Sequence, residues 1–478
     1  MAVLGLGRSG VSAAKALLLV GARPVVLDEA SETTPKTAKH GEELEDLGVP
    51  VVLGWASPWD SDSIDLVVTS PSLPRDHPRL LEAIGEGLEV ISEPELAYRI
   101  TRAPIVAITG TNGKSTTTVM TWLCLREAGE DALLCGNIYG SGYEETPLSE
   151  AAASATPEQT LVAEISSFQL EWVKQFRPAS AGITNVAPDH LNRYGGSFEA
   201  YAATKHRLFA QQGRSDTVAV RMGDPLVRAP SGVGSPLALT FGPGSGDANL
   251  GAERLAVLGQ EIAWKDVPFQ EPHNRLNAAM ATLLAVGLLR RRALDDPGGR
   301  AASLLDQALS ERLPAREGAS EPKLAAPRSV LEGLKKFRPL QHRMERLGER
   351  DGVAIINNSM CTNPAAVVAS ARALSGRRHL LLGGTNKELD FIPLRAHLAS
   401  TGDAAYLFGR DASSLNEMLG RRWPVYASMA ESFEAACRSA KPGETIMLAP
   451  GCASMDQFED FVERGNVFKQ IAQEWLSR

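Results

Sequence analysis

Residues 105 to 120, IVAITGTNGKSTTTVM, constrain the fold more than any other stretch. An apolar run without alternation suits a parallel strand buried on both faces. Gly110 and Gly113 then turn the chain, and Lys-Ser-Thr opens a helical stretch. The amides of such a turn and the start of the helix form a cradle for phosphate. The common loop is G-x-x-x-x-G-K-[ST], but Ile108 stands where its first glycine belongs, so the loop here is the shorter G-x-x-G-K-S. By this geometry Lys114 reaches the β- and γ-phosphates and the Ser115 hydroxyl faces Mg²⁺. Gly110, Thr111, Asn112, Gly113 and Thr116 complete the expected nucleotide loop.

The chain has 478 residues, more than one core accommodates, so two to four domains are expected. Hydrophobic residues make up 44% and charged ones 22%, as in a soluble globular protein. The net charge is −8 and no basic block stands out, which argues against nucleic acid as a partner. No apolar run is long enough for a transmembrane helix. The start, MAVLGLGRSG, has neither a basic segment nor a long apolar one, so a secretory leader is not expected. The first strand, MAVLG, is short for a buried one, and a natural start a few residues upstream is expected. Five widely spaced cysteines, without CxxC, fit a reducing cytoplasm better than a disulfide or zinc framework.

Strand and helix patterns alternate through the first hundred residues: AVLGLG, PVVLDE, PVVLGW and DLVVTSPSLP read as strands of a parallel sheet with crossover helices. A second βα block starts at 103, and a third α/β block carries GVAIINNS, HLLLGG, AAYLFG and TIMLAP. The expected domains are 1–102, 103–338 and 339–478. Residues 292–330, rich in Ala, Gly, Pro and charge, read as an insertion with partial helix.

Several residues near strand ends have two readings. Glu164, ending the apolar run in LVAEISSFQL, serves Mg²⁺ or is a solvated strand end. Asp189 and His190 follow a third strand. Lys205, in YAATKHRLF, reads by itself as a surface lysine. Asn274 begins a helix, as a cap or a base contact. GLGRSG, residues 5–10, fits G-x-G-x-x-G, and Asp28 ends the next strand, which is the dinucleotide fingerprint.

Taken together, ITGTNGKST, CGNIYG, EISSFQLE, NVAPDHLNRY, YAATKHRLF, HNRLNAA, LQHRME, GGTNKELDF and CASMDQFEDFVERG resemble the Mur ligases in order and context. SSFQLE and CASMDQFEDFVERG point to the glutamate-adding branch. The resemblance implies a Rossmann-like N-terminal domain, a P-loop ATPase-like central domain and a Rossmann-like C-terminal domain. It implies an ATP-dependent amide ligase of cytoplasmic peptidoglycan precursor synthesis, a monomer acting on UDP-N-acetylmuramoyl-L-alanine and glutamate. ATP would phosphorylate the substrate carboxylate, and the amine of the amino acid would displace phosphate from the acyl phosphate.

The resemblance also assigns residues. Glu164 and His190 would hold Mg²⁺ with Ser115. Lys205 would be carbamylated, which turns a cation into a metal-binding carboxylate. Lys114, His190, Lys205 and Lys387 would be catalytic. Asn274, Arg343 and Asn358 would contact ATP. Gly7, Arg8, Ser9, Asp28 and Asn137 would serve the UDP substrate. Thr362, Lys387, Ser454 and Phe461 would hold glutamate.

In INNSMCTNPAA the family pattern is Asn-Asp-Ser-Lys-Ala-Thr-Asn, so Asn358, Met360 and Cys361 replace aspartate, lysine and alanine. Met360 brings no charge, and Lys387 is the expected compensating cation, with Glu388 beside it. D-glutamate is the expected substrate, with L-glutamate or another UDP-muramyl acceptor as alternatives. An NAD-dependent oxidoreductase built on GLGRSG, or a nucleotide-binding protein disabled at Met360, are the readings from other classes.

Overall fold

Three largely parallel sheets organise the chain. The computed structural model describes residues 1–32, 34–310, 324–386 and 389–478. The chain divides into two compact units, Met1–Tyr139 with Glu144–Arg338, and Gly140–Tyr143 with Pro339–Arg478.

The first unit contains two of the sheets. The smaller has five parallel strands in the order Val51–Val52, Val25–Leu27, Ala2–Leu4, Leu66–Thr69, Glu89–Ser92. Ala2–Leu4 is central and fully buried, so an unalternating apolar run is what this position needs. The helix Arg8–Leu19 starts directly after the glycine turn. A side chain at Gly10 would collide with the carbonyl of Gly5, so only glycine lets the helix lie this close to the strand.

The larger sheet has nine strands, with Ile105–Thr109 between Thr160–Glu164 and Ser180–Ile183, all parallel. The long helix Pro272–Asp295 packs against it through an almost wholly buried middle. Glu93 and Glu95, on the helix that follows the small sheet, are buried and bind backbone amides of the larger domain. Glu93 accepts from Ser149 N at 2.5 Å, and Glu95 from the amides of Lys174, Gln175 and Phe176. Ser12 meets Ser149 at 2.6 Å. The elements between the two sheets are therefore joined in part by hydrogen bonds to buried acids, which are costly to leave unmade, and in part by apolar packing such as that of Trp172.

The described part of 292–330 is anchored to this unit. The long helix continues to Asp295, and Arg292 donates to the carbonyls of Pro157, Glu158 and Gln159. On the following helix, Arg300–Ser310, Arg300 caps the carbonyls of Ala128 and Gly129. Residues 311–323 lie outside the described residues.

The second unit is a six-stranded sheet in the order Glu345–Arg350, Val353–Asn357, Thr445–Gly451, Arg378–Gly383, Ala404–Phe408, Val425–Tyr426. Only the first strand is antiparallel to its neighbour. The helix Phe461–Ser477 packs on it and is capped by Asp460, whose carboxylate accepts from Val462 N and Glu463 N. No helix among the described residues is long and apolar enough to cross a membrane.

Candidate active site

The phosphate loop lies between the strand Ile105–Thr109 and the helix Lys114–Glu127, as the sequence predicts. Gly110 has φ +148°, and a side chain there would run into Thr184, so this turn requires glycine. Thr184 and Asn185, which the sequence reading passed over inside AGITNVAPDH, clamp the loop. Thr184 Oγ1 donates to the Asn112 carbonyl at 2.6 Å, and Asn185 Nδ2 donates to the same carbonyl at 2.9 Å. Asn185 Oδ1 accepts from Asn112 N at 3.1 Å. Thr111 shares a hydrogen bond with Tyr201 Oη at 3.0 Å, and Lys114 Nζ donates to Thr111 O at 3.0 Å. Ser115 and Thr116 are buried behind the loop.

A cavity of about 260 Å³ opens beside the loop. Gly110, Lys114, Asn137, His190 and Lys205 all line it, although they come from separate parts of the sequence. Pro71 and Ser72, from the loop after the strand Leu66–Thr69, complete it on the side of the small sheet.

Lys205 is not the surface lysine that its helix pattern indicates. It is 2% exposed, donates to the Gly110 carbonyl at 2.9 Å and lies 4.6 Å from the Tyr201 ring centre. Burial, reinforced by the charge of Lys114, lowers its pKa to about 7. That shift corresponds to roughly 5 kcal/mol against the charged form. Glu164 is likewise not a solvated strand end but 1% exposed. Its Oε1 accepts from Asn137 Nδ2 at 3.1 Å, while Oε2 is buried without a partner among the described residues. A buried carboxylate oxygen with an open lone pair suits a cation. Burial, with the charges of Lys114 and Lys205, lowers the pKa of His190, although Asp189 opposes this. A neutral imidazole is the form that binds metal. Among the described residues, no three His, Cys, Asp or Glu side chains group together as a ready-made metal site.

Arg193 was not foreseen either. Its guanidinium donates to the carbonyls of Pro71, Ser72 and Leu73, pairs with Glu171 at 2.9 Å and covers the Phe168 ring. Phe168 in turn lies 5.0 Å from the His190 ring. The small-sheet loop is thereby held against the residues that follow the strand Ser180–Ile183.

The expected UDP-side residues converge in part. Arg8 reaches the Ile138 carbonyl at 3.0 Å and lies over Tyr139, next to Asn137. Gly7 caps the helix that carries Ser9. Asp28 does something other than its dinucleotide reading requires: its oxygens accept from Leu6 N at 2.7 Å and Ala30 N at 2.9 Å, closing the turn on itself. Asn274 is not a cap; the N-cap is Glu271, to which Asn274 donates at 3.1 Å. Asn277, one turn on, lies against Gly113.

In the second unit, three motifs meet at the carboxyl ends of parallel strands, the usual ligand-binding edge of an open α/β sheet. Thr385 and Ala453 form a backbone bridge that sets GGTN beside CASMD, and Ser454 there is 4% exposed. Gly451 N donates to the Cys361 carbonyl at 2.9 Å, which places Thr362 next to that junction. Arg464, within VERG, is fully buried and holds Ser359 and the Cys452 carbonyl, while Ser359 Oγ donates to Phe461 O at 2.7 Å. Asn358 uses both ends of its amide, to Met344 N at 3.1 Å and Ser370 Oγ at 2.9 Å. The Arg343 guanidinium contacts Met360 Sδ at 3.2 Å, so a cation already adjoins the position where the family lysine is missing. Lys387 and Glu388 lie outside the described residues.

Comparison with known proteins agrees along the chain. Family models match for the Mur ligase MurD-like N-terminal domain at residues 1–92, the Mur ligase middle domain at 108–285 and the Mur ligase glutamate ligase domain at 342–452. The UDP-N-acetylmuramoylalanine--D-glutamate ligase of Rubrobacter xylanophilus is 36% identical, over 98% of this chain and 97% of that protein. The ligase of the same name from Pelotomaculum thermopropionicum is 34% identical over 98% and 96%. Among solved structures, the UDP-N-acetylmuramate-alanine ligase of Thermotoga maritima shares the fold with a TM-score of 0.54 at 19% identity, covering 99% of both chains. A MurF ligase from the same organism, in complex with ADP, has a TM-score of 0.52 at 15% identity, over 87% of this chain and 97% of that one. With full-length identity above 30% and a model match on each sheet-bearing region, the chain belongs to the Mur ligase family.

Proposed function

We propose that the protein joins D-glutamate to UDP-N-acetylmuramoyl-L-alanine at the expense of ATP, in the cytoplasm and as a monomer, during peptidoglycan precursor synthesis. The domain limits proposed are 1–102 for the UDP substrate, 103–338 for ATP and 339–478 for the amino acid. The observation that carries the reading is the cavity where Lys114, His190 and a buried, readily neutralised Lys205 meet beside the phosphate loop.

The chemistry asks the protein chiefly to position groups and neutralise charge. The loop amides and Lys114 would hold the ATP phosphates. Phosphorylation of the substrate carboxylate makes an acyl phosphate, glutamate nitrogen attacks the carbonyl carbon, and phosphate leaves with the C–O bond electrons. Ser115, Glu164, His190 and a carbamylated Lys205 would hold Mg²⁺, which supplies charge neutralisation at the phosphates. The open Glu164 oxygen supports this assignment, and carbamylation would add a second carboxylate to that of Asp189 in the cavity lining. Carbamylation joins the neutral Lys205 nitrogen to CO₂ and releases one proton. Asn274 and Arg343 would contact ATP; Asn358, with its amide committed internally, would act by positioning Met344. Arg8, Ser9 and Asn137 would serve the UDP end, with the Gly7 turn fixed by Asp28. Thr362, Ser454, Phe461 and Lys387 would hold glutamate.

Phosphate release in the presence of ATP, Mg²⁺, UDP-N-acetylmuramoyl-L-alanine and each glutamate enantiomer tests the reading. Release that needs both the UDP substrate and D-glutamate supports it. Turnover of L-glutamate alone would transfer the assignment to an L-glutamate-adding ligase.

Arg343 beside Met360 changes what restoring the family lysine should do. Met360→Lys puts two cations side by side, and like charges at such range repel by several kcal/mol at an effective dielectric of about 20. The variant is expected to lower kcat/KM for glutamate about tenfold. A rise in kcat/KM in steady-state assays would contradict this.

A further inference from the structure

A second cavity lies far from the phosphate loop, at the opposite end of the central strands. It measures about 650 Å³ and is bordered by the first residue of the strand Ile105–Thr109 and by Ala179, just before Ser180–Ile183. A five-residue strand spans roughly 17 Å, so this cavity is distinct from the site beside Gly110. Its volume falls within the range of small-molecule sites.

Five arginines line it: Arg99, Arg102, Arg177, Arg291 and Arg292, with Asp295 as the sole carboxylate. Such a concentration is unexpected in a chain whose net charge is −8. Part of it is structural. Arg99 is fully engaged by Glu89 and Glu95, and Arg292 by backbone carbonyls. The rest is engaged only in part. Arg177 and Arg291 share one carboxylate, Asp216, at 2.6 and 2.7 Å, and that carboxylate is fully buried behind them. Arg291 Nε also pairs with Asp295 at 2.8 Å, so the two guanidiniums meet two acids and what remains is single unpaired nitrogens. Among the described residues, Arg177 Nη1 and Arg291 Nη2 have no hydrogen-bond partner in the protein. Arg102 is exposed, with no hydrogen bond or ion pair among the described residues. Three sets of unused N–H donors therefore border one concavity.

We infer that this cavity is a second anion site, which takes a phosphate-bearing ligand on Arg102, Arg177 and Arg291. Guanidinium forks match phosphate oxygens in pairs, and they lose less on desolvation than an ammonium. Tyr98, also in the lining, offers a ring against which a nucleoside can rest. The site goes beyond the ligase reading and does not depend on it.

The test uses calorimetric titration of the full chain with inorganic tripolyphosphate, without metal. Lys114→Ala is the background, because it weakens binding at the phosphate loop. This protein is expected to retain one tripolyphosphate site. Arg102→Glu in that background is expected to weaken it at least tenfold, and Gln175→Glu, which adds a carboxylate to the exposed rim, by at least threefold. Neither change touches the phosphate loop, so each alone, with Lys114 intact, should leave turnover within twofold of the parent at saturating substrates. Parallel titrations with UDP, ADP and pyrophosphate separate the sources: tighter nucleotide binding means that the nucleoside is read, and equal affinities mean that phosphate alone is. Absence of tripolyphosphate binding in the Lys114→Ala protein would overturn the proposal, as would an isotherm unchanged by both rim substitutions.

Discussion

Lys114→Ala is expected to reduce ATP-dependent phosphate release by about a thousandfold or more while leaving the protein folded. Lys114 is the first residue of a helix whose next residues are buried, and its amine adjoins the loop at Thr111. Alanine is a good helix former, so the local backbone tolerates it. The lost quantity is positive charge at the transferring phosphate, where stabilisation by a preorganised cation is large. The measurement is a steady-state rate at saturating ATP, accompanied by a thermal melt. A variant rate within tenfold of the parent would remove the phosphate-loop assignment.

The second large effect is expected at Lys205. Lys205→Ala should lose most activity, at least a hundredfold, and a short carboxylic acid should restore part of it by supplying the missing carboxylate. An ordinary lysine with pKa 10.5 is neutral in only about one molecule in 3,000 at pH 7. With the pKa lowered to about 7, close to half the molecules carry a free amine that can add CO₂. Activity after CO₂ depletion should therefore recover on adding bicarbonate, and more completely at pH 8 than at pH 6. The stability consequence has a definite sign. The unfolded lysine stays protonated up to about 10.5 and the folded one only up to about 7, so the unfolded state binds more protons between these values. In metal-free protein the penalty is complete below about pH 7 and fades as pH rises toward 10.5. Lys205→Met should consequently melt higher than the parent at pH 6, although it is inactive. Parent-like rates for Lys205→Ala would dispose of the carbamate. A Lys205→Met melting point below the parent's at pH 6 would show that the buried amine is not under strain.

The sequence alone determined the elements whose signal is local. An apolar run, a glycine turn and a helix start lie within a dozen residues in the phosphate loop, and the glycine turn at residues 5–10 lies between its strand and helix in the same way. The strands read in each of the three blocks are present for the same reason, since hydrophobic periodicity and turn chemistry act over short separations. The motif set also pointed to the family. Tertiary structure decided what depends on distant elements coming together. Lys205 is charged and helical by local pattern, yet packing against the Gly110 loop, nearly a hundred residues earlier, buries it and lowers its pKa to about 7. Glu164 has a buried, open oxygen only because Asn137 occupies the other one and no described residue occupies this one. Asp28 follows the dinucleotide spacing, but the fold turns both oxygens onto backbone amides. The clamp by Thr184 and Asn185, the strap of Arg193, and Arg343 against Met360 all depend on side chains separated by 17 to more than 100 residues in sequence. Desolvation and hydrogen-bond satisfaction are properties of the assembled surroundings, and those surroundings form only when the sheets and their helices pack.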